Sequence, residues 1–156
     1  MKYTLSVLVE NQPGVLSKVV SLFARRGYNI DSLAVGTTED PTMSRMTIVG
    51  QGDDRILEQV EKQLNKVIPV IKVRSLGQDA ATAELLLVKV ACDPQTLGKV
   101  NEIAALMQAK VVDVSKATVT LQYAGEHDKC ETLCDLLRPY GIREIARTGV
   151  IALERG

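Results

Sequence analysis

The chemistry most legible in this chain lies in six consecutive residues, Asn11-Gln12-Pro13-Gly14-Val15-Leu16. They separate a strand-like run, residues 3–10, from a helix-like run, residues 15–26. Such a turn leaves backbone N–H groups at a helix start, where no intrahelical acceptor exists. Those donors and the helix dipole together attract a carboxylate. One reading is a site for a small anionic ligand such as an amino acid. The other is an ordinary strand-to-helix turn whose N–H groups face a side-chain cap or water. The local sequence leaves both open.

Other reactive residue types form no recognisable constellation. His127 is the only histidine, in the polar stretch Gly125-Glu126-His127-Asp128-Lys129. Cys130 is near it in sequence, but no nucleophile motif surrounds either. Cys130 and Cys134 share a helix face at i, i+4. A metal would need further ligands, so small buried hydrophobes are the expectation for both. The acidic pairs Glu39-Asp40 and Asp53-Asp54 fall at turns without calcium-loop spacing, and turn-forming or capping roles suffice. Gly50-Gln51-Gly52 lacks the third glycine and the strand–helix context of a dinucleotide site, and there is no phosphate-loop motif. A non-enzymatic chain is expected.

Composition narrows the classes further. The chain has 156 residues, 46% of them hydrophobic, and balances 19 Lys+Arg against 19 Asp+Glu. A folded core is feasible, and no basic tail suggests nucleic-acid binding. With no Trp, one Phe and four scattered Tyr, no stacking platform for single strands is in view. No apolar run nears the roughly 20 residues of a membrane helix, and no signal peptide is expected. Three cysteines, an odd number, suit a reducing cytoplasm.

The elements that position the first turn follow from periodicity. Tyr3, Leu5, Val7 and Val9 alternate with Thr4, Ser6, Leu8 and Glu10, which predicts a strand. Val15, Leu16, Val19, Val20, Leu22 and Phe23 keep helical spacing up to Gly27. Strands are predicted over 28–37 and 43–49, then a helix capped by Asp53 or Asp54, then a strand over 68–74. The same order recurs in the second half. A strand over 85–92 breaks at Asp93-Pro94, and a helical stripe runs from Leu97 to Met107. Strands over 111–114 and 119–123 flank a Ser115-Lys116 turn. A second stripe stops near Pro139-Tyr140-Gly141, and an extended segment, broken near Gly149, closes the half. The expected class is α+β: two consecutive ferredoxin-like βαββαβ domains, residues 1–76 and 84–156, joined by a linker at 77–83. Units this small bury limited surface, and a homodimer is expected.

A βαββαβ unit with Asn-x-Pro-Gly-Val-Leu after its first strand resembles an ACT domain, an amino-acid-binding regulatory module. Residues 5–16, LSVLVENQPGVL, resemble the opening of the small regulatory subunits of acetolactate synthase. Arg26-Gly27-Tyr28-Asn29-Ile30-Asp31-Ser32-Leu33 resembles their second strand, and Ser44-Arg45-Met46-Thr47-Ile48 their third. Leu87-Val88-Lys89-Val90 and Arg147-Thr148-Gly149-Val150 resemble later segments. The resemblance implies a non-catalytic subunit that binds the large catalytic subunit, raises its activity and confers feedback inhibition by valine, in some members also by leucine or isoleucine. It implies no cofactor in this chain; thiamine diphosphate, Mg²⁺ and FAD are expected in the catalytic subunit. It implies a homodimer through the ACT domains with the effector between them. Asn11, Gln12, Pro13, Gly14, Val15 and Leu16 would offer backbone N–H groups to the effector carboxylate, Gly14 permitting close approach. Asn29 and Ile30 of the neighbouring chain would complete the site, Asn29 accepting from the ammonium. Position 36 is Gly where some members carry Ala, which bears on side-chain selectivity. A free-standing amino-acid sensor acting on another partner is the alternative.

Overall fold

The alternation around Tyr3 becomes β1 (Lys2–Glu10) in the computed structural model, which describes residues 1–156. Tyr3, Leu5, Val7 and Val9 are buried on one face. Period two sends Thr4, Ser6 and Leu8 to the other face. Gly14 then takes φ 85°, a left-handed conformation that glycine adopts without a Cβ penalty, and the chain enters α1 (Val15–Arg26). Gly27, at φ 69°, ends that helix as its spacing predicted. β2 (Ile30–Thr37), β3 (Met43–Gln51), α2 (Asp54–Asn65) and β4 (Val70–Leu76) complete the first repeat. Asp53 is the cap: its carboxylate accepts from the Ile56 N–H at 3.0 Å, an arrangement worth about 1 kcal/mol.

The four strands form an antiparallel sheet in the order β2-β3-β1-β4. Val15, Val19, Leu22 and Phe23 of α1 and Val60 and Leu64 of α2 pack on its Tyr3–Val9 face. The other face carries no helix of this repeat, and its rows follow from register. Arg45, Leu8 and Lys72 stand opposite one another, and Thr47, Ser6 and Arg74 form the next row.

The second repeat has the same plan: β5 (Ala81–Ala91), α3 (Leu97–Met107), β6 (Lys110–Val114), β7 (Thr118–Gly125), α4 (His127–Leu137) and β8 (Ile142–Arg147), in the sheet order β6-β7-β5-β8. A 3-10 turn, Arg138–Tyr140, ends α4 where Pro139 was expected to stop it. Leu86, Val88 and Val90 of β5, Val100 and Ala104 of α3 and Leu133 and Leu137 of α4 form its core. Cys130 and Cys134 are fully buried in that core, as expected of small hydrophobes.

The turn between the repeats is shorter than the linker expected at 77–83. Residues 77–80 form the expected turn, closed by the Ala80 N–H on the Gly77 carbonyl at 3.2 Å, but residues 81–83 already belong to strand β5. The chain divides into one unit of Met1–Ala81 with Val150–Gly156, and another of Thr82–Gly149. The closing segment, residues 150–156, is thus grouped with the first unit. Gly149, at φ 77°, turns the chain into β9 (Ile151–Leu153). The Ala152 N–H donates to Thr47 Oγ1 at 3.4 Å, and Glu154 pairs with Arg74. No helix is long and apolar enough to cross a membrane.

Candidate functional site

The turn between β1 and α1 is held from outside itself. The Asn11 N–H donates to the Thr42 carbonyl at 2.8 Å, and Asn11 Nδ2 donates to the Pro41 carbonyl at 3.0 Å. Asn11 thus pins the turn to the β2–β3 connection. The Gln12 N–H is spent on the Glu10 carbonyl at 3.0 Å, and the Val15 N–H makes a long bond, 3.4 Å, to the Gln12 carbonyl. Pro13 has no N–H. The first intrahelical bond is from the Lys18 N–H to the Gly14 carbonyl at 3.1 Å. Gly14, Leu16 and Ser17 are left with N–H groups that meet no acceptor in the chain, and no side chain caps this helix start.

The donor set is accordingly narrower than residues 11–16. Asn11 and Gln12 shape the turn, while Gly14, Leu16 and Ser17 offer the donors. Ser17 was missed from the sequence, although counting the four unpaired N–H groups of a helix start reaches it. A Cβ built on Gly14 would meet nothing within 4 Å, so the space above the turn is open.

Asn29 and Ile30 lie elsewhere. Ile30 stands opposite Gly50, which stands opposite Tyr3, at the far end of the sheet from Glu10. At 3.4 Å per residue that end is roughly 24 Å from the turn. One protomer does not bring the two groups together. Asn29 is exposed, and its Nδ2 donates to Asp31 Oδ1 at 3.1 Å. Its side-chain carbonyl accepts nothing within the chain and is free to take a cationic donor. Ile30 is half-buried against the first core, so its side chain serves packing. β2 is an edge strand, and Val35 on it and Leu16 and Val20 on α1 are exposed apolar residues.

His127 is the first residue of α4 and sits in an ion cluster that the sequence did not disclose. Glu84, whose side chain is only 1% exposed, accepts from Arg147 Nε at 2.6 Å and meets His127 Nδ1 at 2.8 Å. Glu131 approaches Arg147 at 2.9 Å. Burial pushes the Glu84 carboxyl up, but the hydrogen bonds and charges of His127 and Arg147 outweigh it and hold the pKa below the usual carboxylate range. Burial lifts the Cys130 thiol to about 11, so it stays protonated and un-nucleophilic at neutral pH. The cluster fixes β5, α4 and β8 to one another and offers no nucleophile. No three His, Cys, Asp or Glu side chains gather as a metal-holding group.

The family described as an AHAS small subunit-like ACT domain matches residues 5–72, and that described as the small subunit of acetolactate synthase matches residues 83–156. The acetolactate synthase small subunit of Mycolicibacterium smegmatis is 54% identical over 155 residues, covering 99% of this chain and 91% of that one. This chain belongs to the acetolactate synthase small-subunit family. The isozyme 3 small subunit of Salmonella typhimurium is 44% identical over 158 residues, covering 100% and 97% of the two chains. The crystal structure of the acetolactate synthase small subunit from Thermotoga maritima superposes with a TM-score of 0.93 at 37% identity, covering 100% of this chain and 98% of that one. Within the family, the turn at Gly14 is therefore the helix start of an ACT domain.

Proposed function

We propose that this chain is the regulatory subunit of an acetolactate synthase. It binds the large catalytic subunit, raises its activity and confers feedback inhibition by valine, a branched-chain amino acid. It is not itself catalytic. Thiamine diphosphate, Mg²⁺ and FAD belong to the catalytic partner, and this chain takes none of them.

The observation that carries the effector reading is the set of uncommitted N–H groups at Gly14, Leu16 and Ser17 under open space. A carboxylate there satisfies orphan donors and the positive end of the α1 dipole. The ammonium needs an acceptor, and the carbonyl of Asn29 is free but lies at the other end of the sheet. A two-fold dimer solves the separation by laying the Asn29 end of one protomer beside the Gly14 end of the other. The exposed Val35, Leu16 and Val20 give that contact apolar surface. Inhibition follows if valine prefers one dimer geometry and the catalytic partner another, with a coupling of about 1–3 kcal/mol.

Thermal unfolding of the full chain with valine tests the effector site. At 100 times its Kd, a ligand bound only to the folded state adds about 2.7 kcal/mol. No shift with valine, leucine or isoleucine would overturn the effector site. Co-purification with the catalytic subunit, assayed with and without valine, tests the partnership. An effector response without that partner would favour a free-standing sensor instead.

A further inference from the structure

The helix-free face of the first sheet holds a groove of about 570 Å³ that the regulatory reading does not use. Its floor is the two cross-strand rows, Arg45–Leu8–Lys72 and Ser6–Arg74. Arg45 and Lys72 flank Leu8 from the strands on either side, about 10 Å apart at the backbone. The closing segment adds Leu153, Glu154 and Arg155 as a wall.

Four cations line this groove together with Gly156 and one carboxylate side chain, Glu154, which is engaged by Arg74. Arg45 and Lys72 have no carboxylate partner, and Arg155 Nε is used only on the Asp79 carbonyl. Like charges gathered on neighbouring strands repel one another, so the arrangement costs stability unless an anion answers it. The apolar walls from Leu8, Leu76 and Leu153 strengthen the positive potential inside.

Ser6 sharpens the case. It is only 4% exposed at the groove floor, and its Oγ accepts from Arg45 at 2.8 Å. That bond orients the guanidinium fork, whose other N–H groups find no acceptor in the chain. The Ser6 hydroxyl hydrogen also has no acceptor. A nearly buried hydroxyl that holds one guanidinium in place gives the groove a fixed donor geometry among its more exposed cations.

We propose that this groove binds a small anion carrying two or more phosphate or carboxylate groups. Its volume lies within the ~300–1,000 Å³ of small-molecule sites. One anionic group meets Arg45 and Ser6, and the second meets Lys72 with Arg74 or Arg155. The site lies on the face opposite α1 and does not depend on the effector reading.

Calorimetric titration of the full chain with pyrophosphate and, separately, with citrate tests this at constant low ionic strength. Saturable binding of either supports the site, and the tighter of the two names the anion source. Arg45→Gln combined with Lys72→Gln is expected to weaken binding at least about tenfold. Ser6→Ala, which changes no charge, is expected to weaken it about threefold or more. Lys99→Gln, an exposed change in the second unit, leaves it unaltered. A urea midpoint and slope close to those of the wild type report that each variant is folded. No saturable binding of either anion below about 10 mM overturns the proposal. So does equal weakening by all the charge-removing variants, or indifference to Ser6→Ala, because both describe diffuse attraction without a site.

Discussion

Glu84 of β5 and Arg147 of β8 meet at 2.6 Å in the second sheet, with the carboxylate buried and the guanidinium about one third exposed. One acidic side chain thereby ties β5 to β8, and His127 extends the tie to α4. Replacing Glu84 by Gln leaves two donors short of a charged acceptor. Arg147 and His127 are both partly exposed and rehydrate, so the expected loss is about 1–3 kcal/mol, read as a lower urea midpoint with unchanged slope.

The same group sets an acid limb. Its pKa is lower folded than unfolded, so the unfolded chain binds the proton first as pH falls. The stabilisation is complete above the ordinary carboxylate pKa of about 4.3 and is lost as pH drops through the folded value. Urea midpoints of the wild type should fall across that acid window more steeply than those of Glu84→Gln. Parallel pH profiles would show that Glu84 contributes nothing to the limb.

Gly14 separates backbone strain from ligand contact. Gly14→Ala meets no atom within 4 Å, but its φ of 85° charges an L residue about 1 kcal/mol. A small fall in thermal midpoint is expected, with much of the valine response retained. Gly14→Asp places a carboxylate over the free N–H groups and should abolish the response. A normal valine shift in Gly14→Asp would place the effector elsewhere.

Gly50 acts at the other end. A Cβ there would collide with the Tyr3 hydroxyl and lie 2.9 Å from the Asn29 carbonyl oxygen. Gly50→Ala is expected to cost about 1–3 kcal/mol through overpacking and to weaken valine binding by moving Asn29. Thermal unfolding reads the first effect and the valine titration the second. A destabilised variant with unaltered affinity would detach Asn29 from the site.

Thiol chemistry should report folding. Cys130 and Cys134 are buried and burial raises both pKa values, whereas Cys92 is partly exposed. A disulfide reagent at mild pH should modify Cys92 in the native chain and all three thiols only after denaturation. Fast native labelling of Cys134 would contradict the packing of α4.

Most of the fold was legible because the signals were local. Alternation at Tyr3–Val9, Gly27 after a helical stripe and Asp53 before one each report a single element. What stayed hidden joins distant residues. Glu84 and Arg147 are 63 positions apart, and no periodicity relates them. The cation rows of Arg45, Lys72 and Arg74 required the strand register, which follows only from the completed sheet. Of the linker expected at 77–83, residues 77–80 form a turn, and only 81–83 are extended as the start of β5. At the turn, the sequence located the helix start, but hydrogen bonds from Asn11 to the β2–β3 connection decided which N–H groups stay free.

The assignment of Val150–Gly156 to the first unit makes the second repeat an insertion rather than an appendage. Severing the chain at residue 76 would therefore not liberate a finished module. Such a fragment lacks the Ala152 donor to Thr47 and leaves Arg74 without Glu154. In the intact chain, Thr82–Gly149 is a loop whose ends the first unit must hold. Folded, that loop has a fixed span; melted, it becomes a long flexible tether whose closure costs entropy. Melting of Thr82–Gly149 would thus lengthen the loop that must close for Ala152 to reach Thr47.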